Sequence, residues 1–247
     1  MTGAELLLKT LEQLGVDTIF GYPGGSNLPI YDALYSNKKI RHIRTVHEQG
    51  AAHAADGYAR VTGKVGVALS TSGPGATNLV TGIANAYMDS VPIVAFTGQV
   101  ALNLLGRDSF QEVDITGITI PITKHSFIIR DKNDIVKKVK EAFAIATTGR
   151  PGPVLVDLPK DIMASEVNEE ELKKEINGFI NTYMSKQKSS SNILRDIEKA
   201  VEMIQEAKRP VIYAGGGVVS SGANKELLEF AEKTNIPVTT TFMGISG

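Results

Sequence analysis

The fold class is decided by the stretch Val65-Gly66-Val67-Ala68-Leu69-Ser70-Thr71-Ser72-Gly73-Pro74-Gly75-Ala76-Thr77-Asn78-Leu79. The apolar run from Val65 to Ser70 predicts a short buried strand. A Gly-Pro-Gly turn follows and opens a helical stretch from Ala76 to Met88. A strand that passes through a tight turn into a helix is the repeating unit of parallel α/β sheets.

The same succession of strand and helix recurs on both sides of this stretch. Further strands are expected at Thr18 to Phe20, Ile40 to Val46, Ile93 to Thr97 and Val154 to Leu158. Further helices are expected at Leu28 to Leu34, Gly50 to Val61 and Asn133 to Thr147, after a first helix that Thr2 and Glu5 cap. The alternation predicts an α/β fold with a doubly wound, mainly parallel sheet. In such sheets, ligands bind at the carboxyl ends of the strands.

The chain divides into three segments by composition. Residues 1–165 form the first domain, and residues 166–192, rich in charge and ending in three serines, are expected to be an exposed linker. Residues 193–247 begin a second, Rossmann-like α/β unit with about two strands and two helices. So few elements cannot bury both faces of a parallel sheet, so we expect this unit to be truncated.

Composition excludes several classes of protein. The 247 residues carry a formal net charge of -1, which gives no reason to expect nucleic acid or a membrane surface as a partner. No apolar run approaches the roughly 18 residues of a membrane helix, and no secretory signal is visible. Cysteine is absent, which excludes disulfides and thiolate metal sites. A cytoplasmic location is therefore expected.

Three further motifs stand where strands are expected to end. They are Tyr22-Pro23-Gly24-Gly25, the junction Val46-His47-Glu48-Gln49-Gly50, and Thr97-Gly98-Gln99-Val100. An isolated acid such as Glu48 is usually a first-turn residue that the helix dipole favours. The glycine-rich turns could also cradle a phosphate, but no Lys-Ser/Thr pair of a P-loop follows them.

Taken together, these motifs strongly resemble the pyrimidine-binding domain of thiamine-diphosphate enzymes and, within that superfamily, the acetolactate synthases. The resemblance implies that Glu48 is catalytic. Its carboxyl group would hydrogen-bond the pyrimidine ring nitrogen of thiamine diphosphate and favour the tautomer that takes up a proton. The resemblance also implies a cofactor pocket beside Glu48 that is lined by Tyr22, Pro23, Gly24, Gly25, Pro74 and Asn78.

Two segments resemble the mouth of the family's active site, Arg107 to Glu112 and Thr123 to Phe127. By resemblance, Phe110, Gln111 and Lys124 line the channel through which the 2-oxo acid arrives, and Gln111 and Lys124 take part in catalysis. A cation suits an anionic substrate. An ordinary surface lysine is the alternative for Lys124.

The resemblance also assigns a structural FAD. Its contacts would be Arg150, Gly215, Gly216, Gly217, Thr241 and Phe242. The pattern Gly215-x-Gly217-x-x-Ser220 is a dinucleotide fingerprint that lacks its third glycine, and no acid closes the following strand to hold a ribose. These features count against an NAD enzyme.

Metal and nucleophile sites are not expected in this chain. His47 and His53 are six residues apart, so they do not share a helix face as the two histidines of a zinc protease do. No Gly-x-Ser-x-Gly elbow is present. The resemblance implies Mg²⁺, with its ligands in a diphosphate-binding domain outside this chain.

The implied activity is the condensation of two pyruvates, or of pyruvate with 2-oxobutanoate, into a 2-acetohydroxy acid with release of carbon dioxide, as in branched-chain amino acid biosynthesis. The implied assembly is a homodimer or tetramer with a small regulatory subunit as a further partner. The chain alone is expected to be inactive. Two alternatives remain open: another enzyme of the superfamily, such as a pyruvate oxidase, carboligase or decarboxylase, and a non-catalytic α/β binding domain.

Overall fold

The computed structural model describes residues 1–167 and 191–247, which fall into two compact units that are described separately. No helix among these residues is both long and apolar enough to cross a membrane. The first unit contains α1 (Gly3–Gln13), β1 (Thr18–Gly21), α2 (Leu28–Ser36), β2 (Arg41–Arg44), α3 (Glu48–Thr62), β3 (Gly66–Ser70), α4 (Pro74–Asn78), α5 (Val80–Met88), β4 (Ile93–Gln99), α6 (Ile115–Thr119), β5 (His125–Ile128), α7 (Ile135–Thr147), β6 (Val154–Pro159) and α8 (Lys160–Ala164).

The strands of the first unit form one sheet in the order β2-β1-β3-β4-β6-β5, and every described pairing is parallel. The predicted parallel α/β sheet is therefore confirmed. All carboxyl ends of its strands lie at one edge, the carboxyl edge, and all amino ends lie at the opposite edge, the amino edge.

Helices cover both faces of this sheet, as a doubly wound fold requires. On one face, α1 and α7 pack against alternate strand residues such as Val67 and Phe96. On the other face, the small residues of α3 and the helix α5 pack against the intervening positions, including Ala68 and Ala95. Side chains alternate along a strand, so each buried strand supplies both cores.

The capping box predicted at the N-terminus is present. The Thr2 hydroxyl oxygen accepts from the Glu5 amide at 3.2 Å, and the Glu5 carboxylate accepts from the Thr2 amide at 2.7 Å. The capped helix α1 buries Leu7, Leu8 and Leu11.

Several predicted boundaries need correction. The single helix expected over Ala76 to Met88 is two helices, α4 and α5, that meet at Leu79. The strand β5 has no counterpart in the sequence prediction. Glu166 was assigned to the linker but pairs with Thr2 in an antiparallel bridge, so the first unit extends beyond residue 165. The rest of the predicted linker, residues 168–190, lies outside the described residues.

The second unit contains α9 (Ser191–Glu206), β7 (Ile212–Ala214), α10 (Gly216–Ser221), α11 (Asn224–Thr234) and β8 (Val238–Thr240). The strands β7 and β8 pair in parallel, with Ile212 opposite Val238. The helix α9 exposes a row of apolar side chains: Ile193, Leu194, Ile197, Val201, Met203 and Ile204.

Candidate functional site

The carboxyl edge of the first sheet gathers the predicted motifs. Tyr22 to Gly25 follow β1, Glu48 follows β2, Pro74 follows β3 and Gln99 ends β4. Neighbouring strands of a parallel sheet place these loops side by side, which is where open α/β sheets bind ligands.

Glu48 is the first residue of α3 and is only 8% exposed. The preceding residue, His47, has extended backbone dihedral angles, and its ring nitrogen Nδ1 accepts from the Gln49 amide at 3.2 Å. This cap starts the helix at Glu48, so the carboxyl group lies at the positive end of the helix dipole.

Asn78 is the residue that the structure joins to Glu48. Its side-chain amide Nδ2 donates to Glu48 Oε2 at 2.9 Å. Among the described residues, no donor contacts the other carboxylate oxygen, Oε1. Gly75 lies beside it, and a Cβ at position 75 would come within 3.0 Å of Oε1. Gly75 thus leaves Oε1 accessible, which a side chain at this position would not.

Asn27 shapes the Tyr22 to Gly25 loop. This buried side chain accepts from the Gly24 amide at 2.8 Å and donates to the Tyr22 carbonyl at 3.1 Å. It therefore fixes the loop at the site, although no sequence motif pointed to it. An Asn two residues before Pro29 could have been noticed only as a generic turn or helix-start residue.

Gln111 is brought to the same edge by its backbone. Gly73 has a φ of 56°, which favours glycine, and a Cβ there would lie 2.5 Å from the Gln111 carbonyl oxygen. The segment that carries Gln111 therefore lies directly on the turn before Pro74 and Gly75. The neighbouring Phe110 is 87% exposed, so its ring is free to contact a ligand or another chain.

Lys124 is not brought together with Glu48. It precedes β5 and so lies at the amino edge, where its ammonium group donates to the Ile145 carbonyl and, at 2.6 Å, to the Thr148 carbonyl at the end of α7. Burial lowers the pKa of Lys124. Within this chain the Lys124 side chain caps the end of a helix, and its predicted place in the substrate channel stays a prediction.

Lys160 is a cation that the sequence prediction missed. It follows β6 directly, as the first residue of α8, and is exposed at the carboxyl edge. The signal that could have found it is the end of the predicted strand Val154 to Leu158, which places the next residues at the ligand-binding edge.

Arg150 also lies at the amino edge. Its guanidinium group donates to the Ser90 hydroxyl at 2.7 Å and to the Met88 carbonyl at 3.1 Å. Both partners belong to the connection between α5 and β4. The structure therefore does not bring Arg150 together with Glu48.

In the second unit, the predicted flavin residues lie where β7 and β8 end. Gly215 precedes α10, and its nearest neighbour beyond the local chain is the Thr241 side chain. Thr241 donates its amide to the Ala214 carbonyl at 2.8 Å, and its hydroxyl accepts from the Gly244 amide at 3.1 Å. The Phe242 side chain is 88% exposed to solvent. Gly216 and Gly217 open α10 beside them.

Among residues 1–167 and 191–247, no group of three His, Asp, Glu or Cys side chains is placed to bind a metal ion.

Comparison with known proteins gives consistent matches over both units. Residues 1–118 match the family model described as thiamine pyrophosphate enzyme, N-terminal TPP binding domain, and residues 197–247 match the model of the central domain of the same enzymes.

Among curated proteins, the chain is 54% identical over 246 residues to the acetolactate synthase large subunit of Corynebacterium glutamicum, covering 99% of the chain and 38% of that protein. It is 52% identical over 244 residues to an acetolactate synthase of Mycobacterium bovis, covering 98% of the chain and 38% of the relative. It is 51% identical over 247 residues to an acetolactate synthase of Arthrospira platensis, covering 99% and 42%. The chain thus spans about two fifths of the length of these relatives.

Proposed function

The chain belongs to the thiamine pyrophosphate enzyme family, and from that premise we propose that the full-length protein is the catalytic subunit of an acetolactate synthase. It condenses two pyruvates, or pyruvate with 2-oxobutanoate, into a 2-acetohydroxy acid and releases carbon dioxide. The observation that supports this most is the buried Glu48, with Oε2 bonded to Asn78 and Oε1 left open beside Gly75.

These residues fit the pyrimidine end of thiamine diphosphate. When bound, the cofactor supplies the carbon nucleophile that adds to a 2-oxo acid. Glu48 holds or releases a proton at Oε1, where a ring nitrogen would lie, and Asn78 fixes the orientation of the carboxyl group. Gly75, which has no side chain, would let the pyrimidine ring approach. The Tyr22 to Gly25 loop, which Asn27 holds by two hydrogen bonds, would line one side of the site.

Further cofactors and partners are part of the proposal. FAD would be held by Arg150, by Gly215, Gly216 and Gly217, and by Thr241 and Phe242. Mg²⁺ would be bound by a part of the protein beyond this chain. The C. glutamicum relative is named a large subunit, which supports a small regulatory subunit as a partner of a homodimer or tetramer.

Product analysis of the full-length protein tests the proposal. With pyruvate, thiamine diphosphate and Mg²⁺, we expect acetolactate, and with added 2-oxobutanoate the mixed 2-acetohydroxy acid. Acetyl phosphate or free acetaldehyde as the main product would identify a different enzyme of the superfamily. No consumption of pyruvate would contradict the proposal altogether.

A further inference from the structure

Gln99 ends β4 and is almost completely buried, yet its side chain is not part of the Glu48 site. Its carbonyl oxygen Oε1 accepts from the Val100 amide at 2.9 Å, and its amide nitrogen Nε2 donates to the Val113 carbonyl at 3.1 Å. Val100 and Val113 are the two ends of one segment, residues 100–113. A single side-chain amide therefore closes this segment at both ends.

The same amide is anchored in the sheet. Gln99 Nε2 also donates to Asp157 Oδ2 at 2.9 Å, and the Thr97 hydroxyl donates to Asp157 Oδ1 at 2.6 Å. Asp157 lies in the middle of β6 and is 1% exposed. A buried carboxyl group needs hydrogen-bond partners for both of its oxygens. Here Oδ1 accepts from Thr97 and Oδ2 accepts from Gln99.

Residues 100–113 present Gln111 to the active-site edge in a defined conformation. Asp108 and Gln111 both have positive φ, at 52° and 57°, which an L-residue adopts at a cost of about 1 kcal/mol or more. Such a conformation persists only where contacts hold it. Inside the segment, the Glu112 carboxylate accepts from the Ser109 amide at 2.9 Å and from the Gly106 amide.

We infer that Gln99, anchored by Asp157, is a positioning residue for Gln111. The inference rests on the proposed function and on the expectation, drawn from the resemblance, that Gln111 lines the substrate channel. Gln suits the task because its side chain carries two donors and one acceptor at a fixed spacing, and all three are used here. Gln99 itself does not touch substrate; it acts by fixing both ends of the segment, and Gln111, close to the second of these ends, lies on Gly73.

The test compares Gln99→Met with Thr97→Val in the full-length protein. Both substitutions remove a hydrogen bond to the Asp157 carboxyl group from a buried β4 position, but only Gln99 contacts residues 100–113. We expect both variants to melt at a lower temperature. Only Gln99→Met should accelerate hydrogen exchange in peptides from residues 100–113 and lower kcat by roughly 10- to 100-fold, the size of effect that follows misplacement of a reacting group.

Equal exchange rates in the two variants over residues 100–113 would overturn the inference, and so would an equal loss of kcat. If Gln99→Met does not fold, Gln99→Asn replaces it, because its amide is one methylene too short to hold both ends and should give the same pattern. Asp157→Asn keeps an oxygen that can accept from Gln99, so it should leave the exchange of residues 100–113 as in the wild type.

The exchange measurement also separates this inference from the proposed function. If the wild-type protein forms no acetolactate, the proposed function fails. The positioning of residues 100–113 by Gln99 is then still decided by hydrogen exchange, with an unchanged rate in Gln99→Met as the contradicting result.

Discussion

Two buried carboxyl groups of the first unit, those of Glu48 and Asp157, have different surroundings. Glu48 lies at a helix start with one oxygen toward the carboxyl edge, whereas Asp157 lies in the interior of the sheet between Thr97 and Gln99. Burial raises the pKa of Asp157 to about 7, against the lowering by its two hydrogen bonds. In the proposed function Glu48 takes part in the chemistry, whereas Asp157 holds side chains of the sheet, and substitution should separate these two roles.

Glu48→Gln in the full-length protein should lower turnover by roughly 100- to 10,000-fold, the usual cost of losing a positioned acid-base group. The fold should tolerate it, because Gln nearly preserves the shape and Asn78 can still donate to its carbonyl oxygen. Turnover and melting temperature are the measurements. A variant that keeps more than about a tenth of wild-type turnover would make Glu48 a structural helix-start residue.

Asp56→Asn is the matched control for Glu48→Gln. Asp56 lies in the same helix, is equally buried, and accepts hydrogen bonds from Arg60 and Asn85 away from the carboxyl edge. We expect it to lower the melting temperature and to retain turnover. Glu112 would be a poor control, because its carboxylate holds the segment that carries Gln111.

Asp157 should make the stability of the chain depend on pH. The folded chain keeps a proton on Asp157 up to a pH of about 7, whereas the unfolded chain releases it near 3.8, the ordinary pKa of an aspartic acid side chain. Unfolding therefore releases a proton between these values, and stability falls as the pH rises through this window. Each pKa unit corresponds to about 1.4 kcal/mol.

Urea unfolding of wild type and Asp157→Asn at pH 5 and pH 8 measures this effect. The wild type should lose more stability than the variant between the two pH values. Asp17, whose pKa is lowered to about 2 by the hydrogen bond from Lys64, is already ionised at pH 5 and does not interfere. An identical pH dependence in both proteins would contradict the raised pKa of Asp157.

At the scale of helices and strands, the βα pattern was visible wherever an apolar run preceded a turn and a helix. The strand β5 was missed because it is the outermost strand of the sheet and its four residues, His125 to Ile128, begin with two polar side chains, so no continuous apolar run forms. The break between α4 and α5 was missed because Leu79 fits a helical pattern equally well in one helix or two.

The position of Lys124 shows a limit of motif reasoning. The sequence gives the residue type and its neighbours, but the edge of the sheet on which a loop lies depends on whether the loop precedes or follows a strand. Because β5 was not predicted, Lys124 could not be placed before it. Glu48, Pro74 and Asn78 could be assigned to the carboxyl edge because each follows a strand that the sequence predicts.

Lys124→Met and Lys160→Met should therefore behave differently in the full-length protein. Lys124→Met removes two hydrogen bonds at the end of α7 and should destabilise the fold by about 1–3 kcal/mol, while kcat/KM for pyruvate changes little. Lys160→Met removes an exposed cation at the carboxyl edge and should lower kcat/KM for pyruvate with little change in stability. The reverse result would restore the sequence-based assignment of Lys124 to the substrate channel.

At the scale of the whole molecule, residues 1–167 and 191–247 contain one six-stranded sheet and one two-stranded sheet. The exposed apolar row of α9 and the pairing of β7 with β8 alone show that the second unit leaves much apolar surface in water. The relatives are more than twice as long as the matched region. We infer that the activity needs parts beyond these 247 residues.

The 247-residue chain should form no acetolactate from pyruvate even with thiamine diphosphate and Mg²⁺. Glu48 can meet one end of the cofactor, but the described residues offer no cluster of acidic side chains for a metal-bound diphosphate. Carbon dioxide release from the purified chain, compared with the Glu48→Gln variant, is the measurement. Release above background that disappears in the variant would show that this chain is sufficient for catalysis.

The strand order has a consequence for how the protein is made. Among the described strands of the first unit, β6 is the last to be synthesised, yet it lies inside the sheet and is the partner of both β4 and β5. Until the ribosome has released residues 154–159, β4 has an open hydrogen-bonding edge and β5 has nothing to pair with. Between the synthesis of β4 and that of β6 the nascent domain therefore carries an unpaired strand edge, and we expect protection by a chaperone to matter before Pro159 emerges rather than after.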